Sequence, residues 1–454
     1  MTIKLAKDSV VRKALSIERK NLLDHAAASI ERILPHVSVS RWDEAGDLPS
    51  AARWGSNQRK EIRVCFRIPV GADSWRSLCT TVRRKQSSQA DGTAALRTLD
   101  IEEHRLCDVI ATRLANWIAS PGLDEAALHA LRDSFDEGVI AEYLGEKLGG
   151  ESAVNTLLRQ LHALSEQTYE NSSIAFGCLL DPAGATTLEA TFPDALLDTK
   201  KYRVLSDGYR TAYRFTASES PIVLEDLDEV EPSAGGTGYY PTWIRRLAAR
   251  CTNGVIGVAL SRQGDILVIQ NRQLRLTYRY GQWQYWNHAH LVNLLRRLAR
   301  AQHVPPTLIG RVVGTLYRSA LDIAFRRSGG LLVLLRNRGK LRELVRKGDA
   351  IGDSGQTRED RLFGEFVASQ RVQSLPRNVI ADLAAVDGAI VMANSGQVLA
   401  YGAILSPKKK GHLRGSEGSR TKAAIGASNY GLAIKISADG GIAFFSEGKE
   451  FLKV

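Results

Sequence analysis

With 454 residues, of which 44% are apolar, 24% charged and 7% aromatic, the chain has room for two or three domains at roughly 150 residues each, every one able to bury a core. That balance excludes collagen-like, coiled-coil and wholly disordered chains, and no apolar run reaches the roughly 18 residues a membrane span requires. The formal net charge of +12 is unevenly spread along the chain.

From the N-terminus, residues 1–35 show helical periodicity. Lys4, Lys7, Asp8, Arg12, Lys13, Glu18, Arg19 and Lys20 run through the same stretch. No signal-peptide apolar core can form there, and a cytoplasmic protein is expected. Alternation over 61–68 predicts a half-buried strand. Helical periodicity returns over 98–165, with Ile101, Arg105, Val109, Leu114 and Ile118 in phase. Residues 173–180 open a β-richer stretch, and the Pro/Gly/Ser-rich 231–238 reads as a linker or mobile loop. Four strands follow, at 255–260, 266–269, 274–280 and 283–286, on connections short enough for an antiparallel meander. A helix from about 290 to 302 closes that unit. The five cysteines (Cys65, Cys79, Cys107, Cys178, Cys251) are scattered and form no CxxC pair, which reads as reduced, packed thiols. His288 and His290, at i and i+2, would share one side of a strand but of no helix, which weighs against a zinc site.

Residues 241–350 hold 20 Arg/Lys against 4 Asp/Glu, more than the whole net surplus, whereas 218–231 is acidic. Such a field suits a polyanion, either nucleic acid or a nucleotide triphosphate. The same run also suits arginines solvating an exposed helix face, since binding needs a patch and a run is not one.

Beyond Pro305-Pro306, helices are predicted over 307–327, 339–347, 359–371 and 377–385, with a buried strand at 331–335. Asp387-Gly388-Ala389 opens a strand, Asn394–Gln397 turns it back into 398–405, and a lysine-rich loop with Lys408-Lys409-Lys410 leads to Gly418-Ser419-Arg420-Thr421-Lys422-Ala423-Ala424. Strands at 432–436 and 442–445 finish the chain. Strands and helices mixed in this order imply an α/β or α+β domain with a mixed sheet. The organisation therefore reads as a mainly helical region, 1–165, a β-rich domain, 166–305, and a mixed-sheet domain, 306–454.

Two elements there can carry chemistry. A carboxylate at the head of an apolar strand projects from a sheet end, where a hard cation can meet it together with phosphate oxygens, and Gly388 lets a ligand approach the backbone. A glycine turn followed by two hydroxyls and two cations at a helix start is what a phosphate site needs. It is also what a serine helix cap beside surface charges looks like.

Together, about 30 residues apart across a hairpin, the two elements resemble the diadenylate cyclase domain family, also called the DisA N-terminal domain family. Its members carry an Asp-Gly-Ala strand start, a hairpin, a polar loop and a Gly-Thr-Arg-His-Arg-Ala-Ala motif. Gly329–Leu335 resembles the family's first core strand, and Gly426-Ala427-Ser428 its Gly-x-Ser. The resemblance covers roughly 310–454. It implies condensation of two ATP into cyclic di-AMP between facing domains, hence a homo-oligomer, with Mg²⁺ or Mn²⁺. Asp387 would bind the metal and help activate the 3′-hydroxyl. Gly388, Ala389, Gly418, Ser419, Arg420, Thr421, Lys422 and Ser428 would hold the nucleotide, with Arg420 and Thr421 also catalytic. Asp439 stands where the family has an acidic turn and would be a second metal ligand. Such domains are often joined to a sensing region, including in bacterial phage defence, and the preceding two-thirds would then regulate the site.

The departures from the pattern are Thr421 for the family's histidine, Lys422 for its second arginine, Val386 before Asp387, and Ala438 in the acidic turn. Lysine lacks the planar fork that fits phosphate. Two classes stay open: a divergent cyclase, and a weakened domain that binds a nucleotide and reports it. A third is a nucleic-acid-binding protein, acting through 241–350, in which the C-terminal domain is structural.

Overall fold

A computed structural model describes residues 21–45, 61–69, 75–85, 99–119, 133–169, 172–182, 205–216, 222–228, 238–353, 358–368, 370–408 and 418–454. The fold is α+β, and contacts divide it into two compact units, 1–238 with 246–286, and 239–245 with 287–454.

The first unit begins with helix α1 (21–33) and a four-stranded antiparallel sheet of β1 (Val37–Val39), β2 (Asp43–Ala45), β3 (Glu61–Pro69) and β4 (Trp75–Arg84). Helices α2 (Ile101–Ala119), α3 (Phe135–Leu148) and α4 (Glu151–Ser165) follow. A seven-stranded sheet is built from β5 (Phe176–Leu180), β6 (Thr211–Phe215), β7 (Ile222–Asp226) and the meander β8 (Ile256–Leu260), β9 (Ile266–Gln270), β10 (Gln273–Arg279) and β11 (Gln282–Tyr285). One apolar core, from Leu22 to Tyr285, joins the helices to both sheets, so the helical and β-rich stretches pack as one unit.

The meander matches its predicted limits to within a residue or two. Its β9–β10 turn holds Asn271 and Arg272 at φ 50° and 59°, the left-handed pair that a two-residue hairpin needs to follow the strand twist.

The cysteine expectation needs correcting. Cys65 and Cys79 are bonded as a disulfide, because the antiparallel register of β3 and β4 sets them directly opposite each other. Cys107, Cys178 and Cys251 are free and buried, and burial pushes their thiols up, that of Cys251 to about 12. Among the described residues, no helix is long and apolar enough to cross a membrane. The predicted linker lies outside the described residues except for Gly238, as do Lys409 and Lys410 of the lysine run.

The second unit has helices α5 (His288–Ala301) and α6 (Pro306–Arg326), strand β12 (Gly330–Leu335), α7 (Arg358–Ala368), α8 (Arg377–Ala385), β13 (Ala389–Met392), β14 (Val398–Ala403), α9 (Ser419–Ser428), β15 (Gly431–Ile436), β16 (Ile442–Ser446) and β17 (Lys449–Lys453). The sheet order is β14-β13-β12-β15-β16-β17. Only β12 and β13 pair in parallel; the remaining pairs are antiparallel. Leu331, Val333 and Leu335 pack with Ala424, Ile425 and Ala427 of α9 on one face. On the other, a Cβ at Gly330 would touch Ala384 of α8 and Ile323 of α6.

The helix expected over 339–347 is shorter than the periodicity suggested. Arg338–Lys340 is a 3₁₀ turn whose Gly339 amide donates to the Asn337 side chain, and only Leu341–Leu344 is α-helical. Val345 then bridges to Leu405, and Asp353 accepts from the Gly348 and Ala350 amides at 2.9 and 3.3 Å. Tertiary partners take the backbone groups that a longer helix would have used.

Candidate functional site

The parallel register of β12 and β13 sets Leu332 beside Ile390. Gly329 stands just ahead of β12 and Asp387-Gly388 just ahead of β13, so both segments enter this parallel pair from the same end of the sheet. On the other side of β12, Gly330 pairs with Ile436, so the Ser437–Gly441 turn between β15 and β16 closes the same sheet end. That turn is held by Ser437 N–H to the Gly441 carbonyl and Gly440 N–H to the Ser437 carbonyl, both 2.9 Å.

Helix α9 leads back to this end. It lies along β15, with Ala424 and Ala427 fully buried against the sheet. Its small residues let it sit close. Gly418, in extended conformation, precedes the first turn with no side-chain cap, and the Lys422 amide donates back to the Gly418 carbonyl at 3.1 Å. The amides of Ser419, Arg420 and Thr421 have no acceptor within the helix, which makes this a positive, donor-rich terminus.

The Arg420 guanidinium marks where the terminus sits. A Cβ at Gly329 would come within 2.5 Å of Arg420 Nη1 and 3.5 Å of the Ala438 amide nitrogen. Gly329 also has φ +67°, so its missing side chain both permits the turn and leaves the seat that Arg420 fills. Gly388, at φ +123°, plays a matching part across the sheet, because a Cβ there would run into the backbone of Gly402 and Ala403. Neither Asp387 nor Arg420 has an ion-pair partner among the described residues. An exposed carboxylate and a half-buried guanidinium thus stand ready at one sheet end.

The structure therefore places Asp387, Gly388, Gly418, Ser419, Arg420, Thr421 and the Asp439 turn at the same end of the sheet, with Arg420 seated against Gly329 beside the Ala438 amide, while Ala389 is 2% exposed inside β13. Thr421 is half-buried and Lys422 exposed. Asp439 is exposed, and its Oδ1 accepts from the Gly441 amide at 3.1 Å. Ser428 is not part of this group. Nine residues along α9, about 13.5 Å away, it is 1% exposed. Its hydroxyl donates to the Ile425 carbonyl at 2.7 Å and accepts from the Gly448 amide at 2.9 Å, tying the helix end to the β16–β17 turn. Gly329, by contrast, is a site residue whose part only the sheet register reveals.

Among the described residues, no three His, Cys, Asp or Glu side chains gather to hold a metal by themselves. His288 and His290 lie in the first turn of α5 rather than on a strand, and His288 Nδ1 is 2.8 Å from the buried Tyr317 hydroxyl. The basic run 241–350 is shared between the two units. Several of its arginines pair internally: Arg250 with Glu225 at 2.8 Å, Arg279 with Asp265 at 2.9 Å and Arg326 with Asp382 at 2.7 Å.

No protein-family model matches the chain, and no curated protein does. Among solved structures, the chain is similar to a hypothetical membrane spanning protein from Bacillus cereus, at 18% identity over 36% of this chain and 74% of that one, with a TM-score of 0.25. It is also similar to DacA from Staphylococcus aureus, crystallised as a double mutant, at 19% identity over 31% of this chain and 86% of that one, with a TM-score of 0.21.

Proposed function

We propose that the C-terminal unit binds ATP at the β12/β13 sheet end and, paired with a second copy, condenses two ATP into cyclic di-AMP under control of the N-terminal unit. Each 3′-hydroxyl would give up its proton and attack the α-phosphorus of the facing nucleotide, and two pyrophosphates would leave. What supports this reading is that Asp387, the Arg420 guanidinium and the open amides of α9 all lie at one end of one sheet. The motif resemblance requires that placement, and neither motif alone would produce it.

Arg420 and the first-turn amides would hold triphosphate oxygens by charge-assisted donors. Ser419 and Thr421 would add hydroxyl donors, and Gly388 and Ala389 would let the nucleotide approach the strand. Mg²⁺ keeps much of its water and takes one or two carboxylates plus substrate phosphates, so Asp387 fits as its protein ligand, with Asp439 the second carboxylate. The metal would supply charge neutralisation on the phosphates. Val386 and Ile404, 52% and 53% exposed beside this end, suit a face that a second copy covers.

A second reading, a nucleotide sensor without turnover, is favoured by Thr421 and Lys422 in place of the family's histidine and arginine. Incubation with ATP and Mg²⁺ or Mn²⁺, followed by mass spectrometry, separates the two. Cyclic di-AMP is the expected product; tight ATP or cyclic dinucleotide binding with no product would leave the sensor. Restoring both residues, Thr421→His with Lys422→Arg, is expected to raise turnover at least tenfold, about the worth of one charged contact. Gly329→Ala is expected to weaken ATP binding about as much as removing Arg420 does, because the methyl takes the guanidinium's seat. An alanine held at positive φ also costs about 1 kcal/mol of stability, which thermal unfolding would register. The nucleic-acid partner proposed for 241–350 is tested by gel shifts with duplex and single-stranded DNA across a salt series, where binding should fall steeply with salt.

A further inference from the structure

Between α5 and the start of α6 lies a cleft of about 480 Å³, lined by Arg296, Arg300, Val304, Pro306, Ile309 and Gly310. It stands apart from the sheet-end site. Gly310 precedes the last residue of α6 by 16 positions, or about 24 Å of helix, and it is that far end of α6 which leads into Gly329 and β12. Arg296 and Arg300 are one helical turn apart and exposed, and neither has an ion-pair partner among the described residues. From His288 to Arg318 there are five arginines and no acidic residue to offset them. Val304 and Ile309 lie beneath it, 3% and 7% exposed, so the cleft offers a small apolar patch among mostly polar lining.

Two further features mark the cleft as preformed and open. The connection that shapes it is pinned from outside. Arg336 Nε donates to Gln302 Oε1 at 3.1 Å, and Asn394 Nδ2 donates to the His303 carbonyl at 3.0 Å. Gly310 sits inside a long helix, where glycine is costly, yet a Cβ there would meet nothing within 4 Å. Packing does not require that glycine. Its absent side chain keeps the helix backbone bare at the cleft floor, where a ligand can approach it.

We propose that this cleft binds a nucleotide-sized organic phosphate, with its phosphates on Arg296 and Arg300 and its ring on Val304, Pro306 and Ile309. The volume falls among small-ligand pockets of about 300–1,000 Å³. Two guanidinium forks give phosphate the planar, paired donors it prefers. A nucleic-acid backbone would use the arginines alone, whereas a compact molecule of this volume would use the enclosed space and the small apolar patch as well.

The test is calorimetric titration of the full chain carrying Arg420→Ala, which weakens the sheet-end site, with ATP, with inorganic pyrophosphate and with a duplex oligonucleotide. ATP binding should persist in that background and exceed pyrophosphate binding. Arg296→Gln with Arg300→Gln should weaken it about 100-fold, two charged contacts at roughly tenfold each. Gly310→Leu should weaken it at least tenfold while leaving the thermal midpoint unlowered, since the added side chain enters open space in a helix. Unchanged ATP affinity in both variants, or duplex binding that exceeds ATP binding and depends on the same arginines, would overturn the proposal. Failure here leaves the sheet-end reading intact, because that reading is tested through Asp387 and product formation.

Discussion

Asp387→Asn is expected to lower cyclic dinucleotide formation by 100-fold or more while leaving the fold and metal-free ATP binding nearly unchanged. The substitution keeps the size and hydrogen-bonding shape of the side chain and removes only its charge. A hard divalent cation needs that anionic oxygen, and electrostatic groups aimed at developing charge are worth about 10²–10³ in rate each. Asp387 is exposed at the strand head, so its stability cost should stay within about 0.5 kcal/mol, as for surface changes generally. Arg420→Ala should behave differently. Losing a charged phosphate contact weakens ATP binding about 10- to 100-fold with or without metal. Product analysis and titration on both variants separate the roles. Full activity in Asp387→Asn would remove the metal assignment, and ATP affinity left unchanged when Arg420→Ala is added to a chain already carrying Arg296→Gln and Arg300→Gln would move the nucleotide elsewhere.

Much of this site is visible in the linear chain because its two motifs are local. Asp387-Gly388-Ala389 leads into an apolar strand here, and Gly418 before Ser419 and Arg420 is a helix start. What the chain cannot display is the register that turns two local motifs into one place. The parallel β12/β13 pairing is non-local, and with it comes the role of Gly329 as the seat of Arg420. The likeness to a Gly-x-Ser points Ser428 at the nucleotide, but a ten-residue helix carries its last residue to the opposite end of the sheet. The same division holds elsewhere. The meander is legible because tight turns fix each strand to the next. Strand β17 is not legible in the sequence, since its charged, half-exposed residues carry little apolar alternation and its place depends on pairing with β16. The Cys65–Cys79 bond likewise follows from β3/β4 register, which spacing alone does not reveal.

Asp322→Ala is expected to cost about 3–5 kcal/mol, the largest stability loss of any single change considered, without touching the sheet-end site. Asp322 is 2% exposed on α6. It accepts from the Thr242 amide at 2.6 Å, from the Thr242 hydroxyl at 2.9 Å and from Arg377 Nε at 2.8 Å. Arg377 Nη2 donates in turn to the Tyr240 and Arg318 carbonyls at 2.8 and 3.0 Å. The cluster fastens 239–245 to α6 and α8 within the second unit. Burial pushes the Asp322 carboxyl up and the Arg377 guanidinium down, each opposed by the other's charge. Desolvation therefore offsets much of the pair's attraction, and its net worth against an apolar pair is small. Removing one member is another matter, because it strands a buried charge and costs about 3–5 kcal/mol. For a unit of 150–250 residues, at about 2–4 °C per kcal/mol, the thermal midpoint should fall by roughly 6–20 °C. Asp322→Leu with Arg377→Met should recover part of that loss, since no charge is then left unpaired, while the Thr242 donors still lack an acceptor. A fall of less than about 2 °C in Asp322→Ala, or no recovery in the double variant, would mean that the cluster does not fasten this segment. ATP binding measured below the lowered midpoint should match the parent chain, because the sheet end and Arg420 do not depend on Asp322.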